Sequence, residues 1–98
     1  MAVNFNDDEW VWVVVILGAG GRDQILGQHD QDADLSFIPV FRSKEDALVS
    51  YKRFALDKEK KYEVQAMFYG ELCKEARENG FSLFILDEDG KVLDKKAP

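Results

Sequence analysis

Three stretches of the chain are apolar in a way that only strands accommodate. Trp10-Val-Trp-Val-Val-Val-Ile-Leu17 is an unbroken run of β-branched and aromatic residues stopped by Gly18-Ala-Gly-Gly21. Such a run predicts a strand buried on both faces, at the centre of a sheet. Leu35 to Phe41 has the same character, and its Pro39, which has no N–H for a ladder, predicts an edge position or a bulge. Phe81-Ser-Leu-Phe-Ile-Leu86 is again apolar in both parities. In residues 62–68, by contrast, Tyr62, Val64, Ala66 and Phe68 alternate with Glu63 and Gln65, the pattern of a strand with one buried side. Gly90 closes the turn Asp87-Glu-Asp-Gly90, after which residues 91–93 can return as a short last strand.

Two stretches carry helical periodicity. Ser43-Lys-Glu-Asp46 opens the first, with a hydroxyl for the free first-turn amides and two acids at the positive end of the helix dipole. Ala47, Leu48, Tyr51, Phe54 and Ala55 then fall on one face, and the solvated run Lys58-Glu-Lys-Lys61 follows. The second spans residues 71–79, with Leu72, Cys73 and Ala76 on one side and Asn79-Gly80 as a left-handed stop. Residues 18–34 are rich in Gly, Asp and Gln and are expected to form a long connection, with Ile25-Leu26 able to extend a hairpin arm.

The element order is β-β-α-β-α-β, with a possible final β. It predicts one α+β domain over residues 1–98, with residues 1–8 and 94–98 as flexible tails. The fold expected is a mixed sheet of four to five strands. Right-handed crossovers are expected to place both helices on one face. Under that arrangement the other face needs a cover. The stripe Trp10, Trp12 and Val14 becomes the expected interface, either with a second copy of the chain or with another protein, since aromatic side chains concentrate at interface hot spots.

Charge narrows the partners. The 98 residues include 19 acids and 13 Lys or Arg, a formal net charge of -6, and the cations are interspersed among the acids. A phosphate backbone or an anionic membrane surface is therefore not an expected partner. The eight-residue run 10–17 is too short to span a bilayer, and Asp7, Asp8 and Glu9 precede it where a secretory signal carries positive charge. With Cys73 as the one cysteine, no intrachain disulfide is available, and a cytoplasmic location is expected.

No stretch supports catalysis. A dinucleotide turn beginning at Gly18 requires a third glycine where Asp23 stands. Asp30, Asp32 and Asp34 have the spacing that opens a calcium loop, but Leu35 and Phe41 occupy the places of its glycine and its bidentate acid. His29 has no second His or Cys nearby for a transition metal, and Cys73 on an apolar helix face reads as a structural thiol. Ser36, Ser43, Ser50 and Ser82 lie in no nucleophile elbow. The expectation is a non-enzyme without metal or cofactor. The alternative to an interaction module is a regulatory domain holding a small molecule under the 18–34 segment.

The stretch Phe37-Ile-Pro-Val-Phe-Arg-Ser-Lys-Glu-Asp-Ala47 resembles the P-V-F-(T/S)-S-x-E-x-A segment in the N-terminal domain of SseB-type (enhanced serine sensitivity) bacterial proteins, matching at Pro39, Val40, Phe41, Ser43, Glu45 and Ala47. Gly70-Glu-Leu-Cys-Lys-Glu-Ala76 and residues 80–86 are similar to that family's second helix and last strand, whereas its usual Asn-Pro-Gly-like turn is replaced here by Asp87-Glu-Asp-Gly90. The resemblance implies a fold and transfers no catalytic residue.

Overall fold

The apolar run becomes β1 (Trp10–Leu17), and β4 (Leu35–Phe41), β5 (Lys61–Phe68) and β6 (Ser82–Leu86) form where their patterns place them, while the short last strand expected over residues 91–93 forms as the longer β7 (Val92–Lys96). The structure is a computed structural model that describes residues 4–18, 21–54 and 56–97. The α+β class and the mixed sheet are as expected, but the sheet has seven strands, because the 18–34 segment supplies β2 (Gln24–Ile25) and β3 (Gln28–Asp30).

Helix α1 (Lys44–Ser50) starts as its sequence dictates, with Ser43 Oγ accepting from the Asp46 amide at 3.1 Å. It is shorter than its apolar periodicity, since residues 51–53 tighten into a 3₁₀ turn and Phe54 is already extended; Ala55 lies outside the described residues. Helix α2 (Tyr69–Asn79) ends on Gly80 at φ 74°, a conformation that costs a residue without Cβ almost nothing.

β1 pairs antiparallel with β5 along its whole length, while on its other side it meets β4 only at Trp12↔Phe41. Beyond that point β1 and β4 separate and the short strands fill the gap, β2 against β1 and β3 against β4. β4 runs parallel to β6, and β7 closes that side. Pro39 is therefore neither on an edge strand nor exposed. It is fully buried in an interior strand, at the interruption between the β3 register at Phe37 and the β1 register at Phe41, where β4 has no ladder partner on that side.

The expectation that both helices share one face is corrected. The crossover from β4 through α1 to β5 runs one way along the sheet, and that from β5 through α2 to β6 runs back. Connections of the same hand travelling in opposite directions lie on opposite faces. The packing agrees. Leu72 and Ala76 of α2 lie with Val11, Val13, Val15, Ile38, Val40 and Leu83, whereas Ala47 of α1 lies with Val14, Phe41, Phe84, Leu86 and the half-buried Trp12 and Ile16. The two parities of β1 thus belong to two cores, each under its own helix.

The tails are also more ordered than expected. Phe5 packs on the α2 core with its ring 5.1 Å from that of Tyr69, and the Gly70 amide donates to Asp7 O at 3.0 Å. Asp94 to Lys96 belong to β7. Residues 1–3 and 98, which complete the expected tails, lie outside the described residues. The Cα radius of gyration, 12.7 Å, is that of one compact unit.

Candidate interaction edge

In an antiparallel ladder, opposed residues either bond one another or both turn their amides away, in alternation. The Leu26 amide donates to Val14 O at 2.8 Å, so Val14 spends its carbonyl on the side away from β5. Its register partner Val64 must then direct its own amide groups to the free side of β5. The other parity confirms this, because the Tyr69 amide donates to Glu9 O at 2.9 Å, extending the β1–β5 bonds through the odd positions. Tyr62, Val64, Ala66 and Phe68 therefore present an outward row of backbone groups, and among the described residues no strand pairs with that side.

The two edges of the sheet are built differently. β7 is five residues long, its pairing with β6 shifts register between Ile85 and Leu86, and it carries Asp94, Lys95 and Lys96. Shortness, irregularity and charge are the devices by which proteins keep an edge from recruiting strands. β5 has eight residues in unbroken register with β1 and no charge from Val64 to Phe68. At its C-terminal end, Trp10 stacks on Phe68 with centroids 4.2 Å apart, and the pair is 58% and 36% exposed.

The expected interface residues therefore divide. Trp10 is at the surface beside this edge, Trp12 is half-buried in the α1 core, and Val14 is 1% exposed and belongs to the chain's own interior. The two tryptophans and Val14 share a face, as the alternation requires, but α1 covers most of it. What sequence reading missed is the backbone row of β5. Its alternating pattern was visible; its position at the edge was not.

Several of the candidate chemical residues engage in local hydrogen bonds. Asp30 Oδ1 accepts from the Asp32 and Ala33 amides at 3.1 and 3.3 Å, so the Asp-x-Asp spacing shapes the β3–β4 turn, where Asp34 adopts φ 49°. Among the described residues, no three His, Cys, Asp or Glu side chains converge as a metal site would need. The His29 ring lies 3.3 Å from Ser36 Oγ and 3.4 Å from Asp34 Oδ1, bracing the same hairpin. Cys73 is half-buried beside Tyr69. Burial, first, pushes the Tyr69 hydroxyl up to about 12, and its hydrogen bond to Cys73 and the charges of Asp94 and Asp7 act in the same sense.

A second surface feature lies on the α1 face where α1 does not reach. An open hollow of about 290 Å³ is lined by the apolar Phe37, Phe54, Phe84, Leu86 and Val92 together with Gln28 and Asp30 of β3. Phe37 and Phe84 are stacked at 4.1 Å, and Lys95 Nζ stands 4.9 Å from the Phe84 centroid.

Among the described residues, no helix is long and apolar enough to cross a membrane. Compared with known proteins, the chain matches no family model, no curated protein and no solved structure.

Proposed function

We propose that this chain is a non-catalytic interaction module of the cytoplasm that binds its partner by accepting a strand along β5. The observation that carries this reading is the outward backbone row of Tyr62, Val64, Ala66 and Phe68 on an unbulged edge that carries no charge from Val64 to Phe68. Main-chain bonds supply affinity in strand addition, and neighbouring side chains supply selectivity. Here the exposed Trp10–Phe68 stack is the apolar anchor at the end of the row. The resemblance of residues 37–47 to SseB-type proteins contributes a fold to this proposal and no activity.

Ala66→Pro is the direct test. Proline removes an outward N–H and leaves the β1 ladder intact, as an edge strand tolerates. In an extract of the source cell, the native chain is expected to sediment as a complex and the Ala66→Pro chain as a monomer. A native chain that sediments alone, or a complex that survives the proline, would overturn the reading.

A second reading, a small-molecule regulatory domain, draws its support from the aromatic-floored hollow beside β3. A ligand held there stabilises only the folded chain, so a panel of aromatic amino acids and nucleobases would raise the melting temperature. No rise across the panel counts against it.

A further inference from the structure

We infer that the strand completing the β5 edge is β5 of a second copy, paired antiparallel about a two-fold axis through Gln65; this rests on the reading of that edge as the interaction surface. A closed two-fold contact uses the same surface twice, so the strand must be complementary to itself. Hydrogen bonding requires outward residues to oppose outward residues, so the axis passes through a residue, and only axes at Val64, Gln65 or Ala66 oppose at least three of the four outward residues to one another.

An axis at Ala66 wastes Tyr62, whose opposite position falls at Gly70 inside α2. An axis at Val64 sets Glu63 diagonal to Glu63 of the second copy on the same face, where like charges repel. The axis at Gln65 opposes Tyr62 to Phe68 and Val64 to Ala66, and holds the two Glu63 side chains four positions apart. Phe68 turns its carbonyl into α2 as the N-cap, so about six inter-copy bonds remain. Local charge on the strand does not oppose a copy at this edge. The formal charge of -6 makes copies repel in general, but from residue 61 to 70 the chain carries one cation, Lys61, and one anion, Glu63.

The test uses the purified full chain. Light scattering at micromolar concentration is expected to give twice the monomer mass, and Ala66→Pro the monomer mass with an unchanged circular dichroism spectrum. Gln65→Cys, on a Cys73→Ser background, is expected to form an inter-copy disulfide under mild oxidant. Across the axis Gln65 faces itself in a non-hydrogen-bonded pair, whose Cα separation of about 4.5 Å falls within the range a disulfide bridges. A monomeric native chain without cross-linking overturns the second copy and leaves the edge itself to the extract experiment. A dimer indifferent to Ala66→Pro overturns both. A proline-sensitive dimer that fails to cross-link at position 65 overturns the register.

Discussion

Truncating Leu72 to alanine tests whether α2 anchors a core of its own on its face of the sheet. Leu72 is fully buried, and Ala76 is the other buried residue of that helix, so the leucine is its principal apolar anchor. Removing three carbons forfeits roughly 2.4 kcal/mol of transfer free energy at about 0.8 kcal/mol each. The cavity left among Val11, Val13 and Ile38 adds more, for a total of about 3–5 kcal/mol. That is a large fraction of the roughly 5–15 kcal/mol by which domains are stable. It corresponds to a fall in melting temperature of about 12 °C or more for a chain of this size. Urea unfolding followed by far-UV circular dichroism measures it, with Leu48→Ala as the comparison. Leu48 is the same residue type on α1 but is 38% exposed, and its truncation should cost less than about 1 kcal/mol. Equal losses at the two positions, or a loss below about 1 kcal/mol at Leu72 with an unchanged denaturant slope, would refute the two-core arrangement.

Ser50 is fully buried and its Oγ has no hydrogen-bond partner among the described residues, so Ser50→Ala should leave stability unchanged or raise it by about 1 kcal/mol; a loss of that size in a thermal melt would mean the hydroxyl is satisfied in solution. Gly70→Ala should lower stability although alanine is favoured in a helix by about 1 kcal/mol, because the added Cβ would stand 2.9 Å from Asp7 Cβ and displace the N-terminal arm. A stabilised variant would show that the arm is not docked there. Tyr69, raised from 10.0 to about 12 by burial first and by Cys73, ionises in the unfolded chain before it does so in the folded one. Its contribution is complete below pH 10 and is lost as pH rises toward 12, since the folded state then binds more protons. Denaturant melts across that window should fall less steeply for Tyr69→Phe than for the native chain, and parallel curves would contradict the burial of the hydroxyl.

Local signals in this chain are strong enough to be read without a structure. The span of β1, the Ser43 cap, the glycine stop after α2 and the Asp87 to Gly90 turn each depend on neighbours within a few residues, and the structure places them where the pattern does. Dihedral preference, capping and periodicity act over that range and need no knowledge of the fold. The partial failures begin where a residue's fate depends on distant neighbours. The apolar face from Ala47 to Ala55 reads as one helix, but the chain tightens at residue 51 and brings Phe54 to within 6.4 Å of Phe41, ring to ring. In the seventeen residues from 18 to 34 the Ile25-Leu26 pair hints at a hairpin arm, but nothing there shows that two short strands will occupy a gap that exists only because β1 and β4 diverge.

The sequence alone determined which residues are apolar in both parities, and hence that β1 and β6 would be covered on both sides. Which elements do the covering was decided by the order of strands in space. Once β5 lies beside β1 and β6 lies beside β4, the two crossovers must run in opposite directions, and a common hand divides their helices between the faces. The same ordering buried Val14, left Trp10 exposed and turned Tyr62, Val64, Ala66 and Phe68 toward an open edge. An amide's direction is set by its ladder partner, and a strand's partners are a property of the assembled sheet, not of its residues.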